Sequence, residues 1–328
     1  MNKIKILVTG ANGQLAKCIK DELQKPSNKN IEADFVTHEE FDITNIEQID
    51  EYLDSHLGYA YLINCAAYTN VNGAEDPNFE KGAALNVNGF GPFCLANMCE
   101  KYRISLIHIS TDYVFPGLMR KYKESLDEVE PVNNYGKTKL IGEENILKVA
   151  DSTNLQYMII RTSWLYSEYG NNFVKSILKQ FLAGKDLNVV YDEIGSPTNA
   201  HDLADFIIGN IVSKDRMNYY NPELSSAIYH FNNDGIISWF DFAKGIVELY
   251  IEAAKREGVF IFNTNPTINP IPVSDIMNMM SANGKPVVHR PAITILDKTN
   301  TKSTGYNFRY WKDSLKDVIN KIIIVLDK

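Results

Sequence analysis

The sequence has little of what marks a secreted, membrane-bound or metal-cluster protein. Its 328 residues include only four cysteines, and Cys18, Cys65, Cys94 and Cys99 sit among apolar neighbours without a CxxC pair. That pattern argues against a thiolate metal site and predicts small core residues in a reducing cytoplasm. No apolar stretch approaches the roughly 20 residues that a membrane-crossing helix needs. Met1 to Val8 runs straight into a strand pattern, with no apolar signal segment or small-residue cleavage site before it. A cytoplasmic protein is therefore expected. The formal charge of -8 is spread over residues of both signs. Without a basic run to follow a phosphate backbone, nucleic acid is not an expected partner. No repeat or low-complexity tract is visible.

What is present is a chain that is 45% hydrophobic, enough for one large core or for a main core with a smaller lobe. Short apolar runs alternate with helical patterns, which predicts βαβ units and an α/β fold of the Rossmann type, a doubly wound parallel sheet. Strands are expected at 4–8, 34–37, 60–64, 104–110, 157–161, 187–190 and 227–231. Leu15, Ile19 and Leu23 recur at helical spacing before Pro26, and a second helix is expected over 133–149. There Leu140, Ile146 and Leu147 form an apolar stripe while Lys and Glu face water. From Gly258 to Pro291 the chain is rich in proline and asparagine and reads as a loop-rich part of a second lobe. The expected division is a dinucleotide-binding half over 1–165, to which segments within about 187–231 return. Residues 166–328 then form mainly a smaller C-terminal substrate-binding lobe.

The first strand leads directly into Gly10-Ala11-Asn12-Gly13-Gln14-Leu15-Ala16. A glycine turn that opens a helix points backbone N–H groups at one spot, where a pyrophosphate can lie. Ala16 replaces the third glycine of the usual pattern and is small enough for helix and strand to approach. Asn64-Cys65-Ala66-Ala67-Tyr68 ends the third strand with small side chains that suit a wall beside a cofactor. Asp42 and Ile43 follow the second strand. They offer an acceptor and an apolar edge to an adenine, or else Asp42 is a helix-start signal before Asn45. The second strand ends in Val36-Thr37-His38, without the acidic residue that favours NAD or the arginine that favours NADP, so both NADPH and NADH remain open.

Tyr135 and Lys139 are four residues apart, so on a helix both side chains reach one site. A phenol beside an ammonium can protonate the oxyanion left by hydride addition to a ketone. The positive charge is expected to pull the phenol below its ordinary pKa of about 10. The bland alternative is a lysine lying along a surface tyrosine. Position favours chemistry, because Thr111 is expected at the carboxyl end of the fourth strand, where ligands bind in open α/β sheets.

These motifs give the chain a family resemblance to the extended short-chain dehydrogenase/reductases, and within them to the dTDP-4-dehydrorhamnose reductase family. The resemblance runs from residue 4 to about 320. It rests on Ser110-Thr111-Asp112-Tyr113-Val114-Phe115, Asn134-Tyr135-Gly136-Lys137-Thr138-Lys139 and Arg161-Thr162-Ser163-Trp164-Leu165-Tyr166. It also rests on Gly170-Asn171-Asn172-Phe173, Gly195-Ser196-Pro197-Thr198 and the late Arg290-Pro291. It implies reduction by NADPH or NADH of the C4 ketone of dTDP-4-dehydro-6-deoxy-L-mannose, giving dTDP-L-rhamnose. In that reading Tyr135 donates the proton, Lys139 lowers its pKa and holds the nicotinamide ribose, and Thr111 orients the ketone. Gly10, Gly13, Gln14, Leu15, Asp42, Ile43, Ala66, Ala67 and Tyr68 join Tyr135 and Lys139 around the cofactor. Asp112 and Trp164 match positions that contact the sugar, although a tryptophan is also commonly core. Asn171 and Asn172 reach sugar or phosphate, or cap a helix before Phe173, and Arg290 pairs with the diphosphate. Some relatives bind Mg2+, but no carboxylate cluster here fixes a metal site. A homodimer is compatible with the sequence.

Two departures stand out. Asn72-Gly73 occupies the place where many members carry a lysine, and Gly258 to Pro286 is longer than usual. Competing readings are another nucleotide-sugar ketoreductase, an epimerase or dehydratase, or a non-catalytic NADP-binding regulatory subunit. Tyr113 stands where dehydratases place a glutamate. The joint presence of Thr111, Tyr135 and Lys139 argues for catalysis over a regulatory role.

Overall fold

The computed structural model describes residues 3–75, 81–118, 120–125, 129–259, 266–284 and 287–326. Five βαβ-type strands and a late sixth build one parallel sheet. They are β1 (Ile4–Thr9), β2 (Ile31–Val36), β3 (Tyr59–Asn64), β4 (Ser105–Thr111), β5 (Tyr157–Thr162) and, after an unrelated strand, β7 (Ala227–Phe231). Their order across the sheet is β7-β5-β4-β3-β1-β2. The register aligns their carboxyl ends, with Thr9 opposite Asn64, Asn64 opposite His108, and Thr111 opposite Thr162. This is the α/β sheet that the apolar alternation predicted. β2 begins three residues earlier than expected because the exposed Glu32 interrupts its apolar run at the sheet edge.

Both faces of the sheet are covered, which is why its strands read as near-continuous apolar runs. Ile6, Val8, Ile63, Ile107 and Ile160 point to one face, against Leu15 and Ile19 of α1 (Gln14–Glu22) and against Leu203, Phe206 and Ile207. Leu7, Leu62, Leu106 and Ile159 point to the other face. There they meet α2 (Ile46–Ser55), α3 (Gly91–Tyr102) and α4 (Asn134–Ser152). Helix α4 matches the helix expected over 133–149, but its polar residues do not all face water. Lys139 and Glu143 lie on its buried side.

A second apolar cluster is built from α5 (Phe173–Leu182), β6 (Leu187–Val190), α6 (Trp239–Glu257) and α8 (Trp311–Leu326). The strand expected at 187–190 forms but does not join the main sheet. It pairs in parallel with β8 (Ile268–Ile271), which precedes α7 (Val273–Ala282). The stretch read as loop therefore contains a strand and a helix. Pro270 masks the strand, since proline lacks a ladder donor and is tolerated in such short, edge-like pairings. None of the described helices is long and apolar enough to cross a membrane.

Candidate active site

The glycine turn sets the floor of the site. Gly10 has φ of +67°, and a Cβ there would come within 2.8 Å of the Ala66 backbone nitrogen, so only glycine permits this approach. The Gly13 N–H donates to Gly10 O at 2.8 Å, and α1 begins at Gln14 with no side-chain cap. Its first-turn N–H groups thus stay available to an anion. The Gln14 side chain bridges away from the turn. Its Nε2 donates to Leu165 O at 3.2 Å, and its Oε1 accepts from Ser167 at 3.2 Å and Asn172 at 3.4 Å.

Thr111, the last residue of β4, accepts from the Tyr113 N–H at 3.3 Å and leads the chain into a short turn. Helix α4 docks over that turn. Asn133 caps it by accepting from the Gly136 N–H at 2.8 Å, and Gly136 has no side chain to collide with the Tyr113 carbonyl. This places the Tyr135 ring edge-on to Tyr113, with centroids 5.5 Å apart. Burial pushes the Tyr135 phenol up to about 12, opposed by a side-chain hydrogen bond with Thr111. The expected lowering by Lys139 is not what governs it. Lys139 instead donates to Ile109 O at 2.7 Å and lies 3.5 Å from His108 Nε2. Burial pulls its ammonium down to about 8, partly offset by Glu143 one turn along α4. Glu143 is held by Arg161 through Nη2 at 2.6 Å, with both side chains fully buried.

Thr111, Tyr113, Tyr135 and Lys139 border one cleft of about 540 Å³, within the range of small-molecule sites. Gly13, Gln14, Leu15 and Ala67 line it on the glycine side, and Thr111, Asp112, Tyr135 and Lys139 on the other. Trp164 and Asn171 reach it from the far wall. Trp164 has φ of +48° and stacks on Trp239 with centroids 3.7 Å apart.

Residues 4–324 match the family described as the RmlD substrate binding domain. The chain belongs to this RmlD family. It is 33% identical over 319 residues to a dTDP-4-dehydrorhamnose reductase of Aggregatibacter actinomycetemcomitans, covering 96% of this chain and 98% of that one. It is 34% identical over 239 residues to a dTDP-4-keto-6-deoxy-D-glucose reductase of Streptomyces niveus, covering 73% and 76%. Among solved structures it resembles a dTDP-4-dehydrorhamnose reductase of Bacillus anthracis str. Ames in complex with NADP. The TM-score there is 0.78 at 30% identity, with 98% and 99% coverage. The resemblance drawn from the motifs is thereby borne out.

Not every residue expected at this RmlD-family site borders the cleft. Gly10 and Ala66 lie beneath it in mutual contact. Ile43 is buried against α3, and Asp42 accepts from the Thr44 N–H at 2.9 Å and its hydroxyl at 2.8 Å, stabilising the turn before Asn45. Tyr68 is fixed through its backbone, whose N–H donates to Asn88 at 2.9 Å. Asn172 is the cap of α5, accepting from the Lys175 N–H at 3.2 Å, so the helix-cap alternative describes its side chain. Arg290 donates to Asn72 Oδ1 at 3.2 Å, outside the cleft lining. Conversely, Trp239 lines the cleft although no sequence motif points to it, and Cys65 lines it as part of the small-residue wall expected at the end of the third strand. Trp239 comes from the start of α6, where no short-range motif marks it. Cys65 is half-buried rather than core, unlike the other three cysteines.

Among the described residues, one group has metal-ligand character, formed by Cys18, Glu168 and His201. It does not fit Mg2+, which takes oxygen ligands, because it offers a single carboxylate. Lys321 already sits on that carboxylate at 3.1 Å.

Proposed function

We propose that this chain reduces the C4 ketone of dTDP-4-dehydro-6-deoxy-L-mannose to dTDP-L-rhamnose with NADPH or NADH. The observation that carries this reading is the convergence of Thr111, Tyr135 and Lys139 on one cleft whose opposite rim is the glycine turn. The cradle suits a dinucleotide, since the Gly10–Ala66 approach leaves no room for a Cβ and the first turn of α1 lacks a side-chain cap. The reduced nicotinamide, when bound, supplies the hydride. Tyr135 gives its phenolic proton to the carbonyl oxygen, and its high affinity for that proton keeps it in the acid form until the oxygen turns basic. Lys139 holds the nicotinamide ribose, and Thr111 orients the ketone. The apolar surface of Trp164 and Trp239 suits a sugar face. Asn171 serves its polar groups, and Arg290 the diphosphate.

Both reductants belong to the proposal. Glu40 accepts from Thr37 at the end of β2 at 2.9 Å and 3.0 Å, an acidic group that suits a ribose hydroxyl, whereas the Bacillus anthracis relative holds NADP. In this reading the parallel sheet of residues 1–165 with the later 200–231 carries the dinucleotide, and the second apolar cluster takes the nucleotide sugar. A second reading, reduction of another nucleotide-linked 4-keto-6-deoxysugar, is favoured by the Streptomyces niveus relative. A screen of 4-keto nucleotide sugars against each cofactor separates the two.

Purified protein is expected to oxidise NADPH or NADH only when a 4-keto nucleotide sugar is present. Tyr135→Phe should lower kcat by roughly 100-fold or more with cofactor affinity retained. Wild-type turnover in that variant would defeat the assignment.

A further inference from the structure

Thr111 carries one proton and has several claimants for it. Its Oγ1 accepts from the Tyr113 N–H at 3.3 Å and donates to Asp112 Oδ1 at 3.2 Å, and its side chain is the group that opposes the effect of burial on the Tyr135 phenol. Asp112 is only 2% exposed, and its Oδ2 accepts from the Thr294 hydroxyl at 2.6 Å. Thr294 is itself buried, and its N–H donates to Ile194 O, so the chain of bonds ends inside the protein. Both Asp112 oxygens are thus engaged from within, which is not how a residue dedicated to a sugar hydroxyl is arranged. A hydroxyl that donates to a carboxylate can only accept from any other partner. In that state Thr111 has nothing to offer a carbonyl oxygen and competes for the phenolic proton of Tyr135.

We propose that Asp112 is a positioning residue that must carry a proton for turnover. Ionised, it captures the Thr111 hydroxyl proton, whereas neutral, it turns that hydroxyl toward the carbonyl oxygen of the substrate. The inference rests on the ketone reduction proposed above. In the neutral arrangement Asp112 Oδ1–H donates to Thr111 Oγ1, and the Thr111 O–H donates to the ketone oxygen beside the Tyr135 O–H. The carbon takes the hydride, the oxygen takes the phenolic proton, and Asp112 keeps its own. No net proton leaves the Asp112–Thr111 pair.

The surroundings favour the neutral acid. Burial pushes Asp112 up to about 6, against hydrogen bonds from Thr294 and Thr111 and its own backbone amide, with no cation among these influences. The ionisable groups nearby are Tyr113 on the same turn and Tyr135 on α4. Arg290 and Glu193 act on Tyr113 from the second lobe. A sugar nucleotide that closes the cleft removes further water and adds to the same preference.

The test is kcat for ketone reduction across pH 5.5 to 9 in the wild type, Asp112→Asn, Asp112→Ala and Thr294→Val. Wild-type kcat should rise as pH falls through the Asp112 titration near 6. The amide of Asp112→Asn donates to Thr111 as the neutral acid does. That variant should turn over within about tenfold of the wild-type acidic plateau and lack the limb. Asp112→Ala, with no donor, should fall well below it at every pH. Thr294→Val removes a bond that favours the charged form, so its limb should move to higher pH. A wild-type limb surviving in Asp112→Asn, or equal loss in Asn and Ala variants, overturns the proposal. A wild type inactive on every 4-keto nucleotide sugar overturns the reductase reading itself and removes this proposal with it.

Discussion

Lys139 shows how far a single residue can be read from its neighbours in sequence. Its spacing from Tyr135 placed both on one helical face, and the structure puts both on the cleft. Its electrostatics were not legible. They depend on burial under β4 and on a Glu143 whose charge is matched by Arg161, 18 positions further along the chain. The outcome is an ammonium held down to about 8 rather than a lysine that lowers a phenol. The direction has a consequence for ligand binding, because the cation is present below that value and lost above it. Cofactor affinity, measured as Kd by nucleotide fluorescence, should be level from pH 6.5 to near neutrality and weaken as pH rises through about 8. Lys139→Gln should bind more weakly and without that pH dependence. A wild-type Kd unchanged up to pH 9.5 would show that Lys139 does not hold the cofactor. For stability the sign is opposite. With a folded pKa below the usual 10.5, the contribution of Lys139 is full above pH 10.5 and is lost as pH falls through about 8. The site accepts that cost at neutral pH to keep a cation in the cleft.

At the scale of elements, α4 carries the chemistry and Gly136 decides how closely it can sit on β4. A Cβ at Gly136 would lie 2.2 Å from the Tyr113 carbonyl oxygen, a backbone atom that cannot swing aside. Alanine gains about 1 kcal/mol in helix propensity over glycine, but overpacking of this kind costs roughly 1–3 kcal/mol. Because the overlap is with backbone, the cost should win. Gly136→Ala is expected to lower Tm and to reduce kcat by about tenfold or more, since Tyr135 moves with its helix. Unaltered Tm and kcat would mean that α4 is free to shift. The elements themselves were largely legible, because strands buried on both faces leave apolar runs that need no alternation. The pairing of β6 was not. Its partner β8 contains Pro270, and its place apart from the main sheet follows from α5, α6 and α8 gathering a core of their own.

At the scale of the molecule, the cleft has walls from two apolar cores, so catalysis needs them fixed relative to each other. Asp202, on the short helix packed beside α1, is one such tie. Its Oδ2 accepts from Asn233 at 2.6 Å and from the hydroxyl of Ser314 on α8, and its Oδ1 accepts from Arg309 at 3.1 Å. Ser314 adjoins Leu315, which belongs to the second core. The partners are up to 112 residues apart, too far for any local pattern to announce them. Asp202→Ala strands several donors, and the loss should be roughly 3 kcal/mol, since hydrogen bonds to a charged group are each worth about 1.5–3 kcal/mol and part of the Arg309 contact is exposed. The three tryptophans supply a separate readout, because Trp164, Trp239 and Trp311 all pack in or against the second core. Their fluorescence follows that core, whereas far-ultraviolet circular dichroism follows the whole chain. In the wild type the two denaturation curves should coincide. In Asp202→Ala the fluorescence midpoint should fall at lower denaturant than the dichroism midpoint, with KM for the nucleotide sugar raised more than Kd for the cofactor. Coincident curves in the variant would mean that the two cores are coupled chiefly elsewhere, with the Gln14 bridge to Leu165, Ser167 and Asn172 as the next tie to cut.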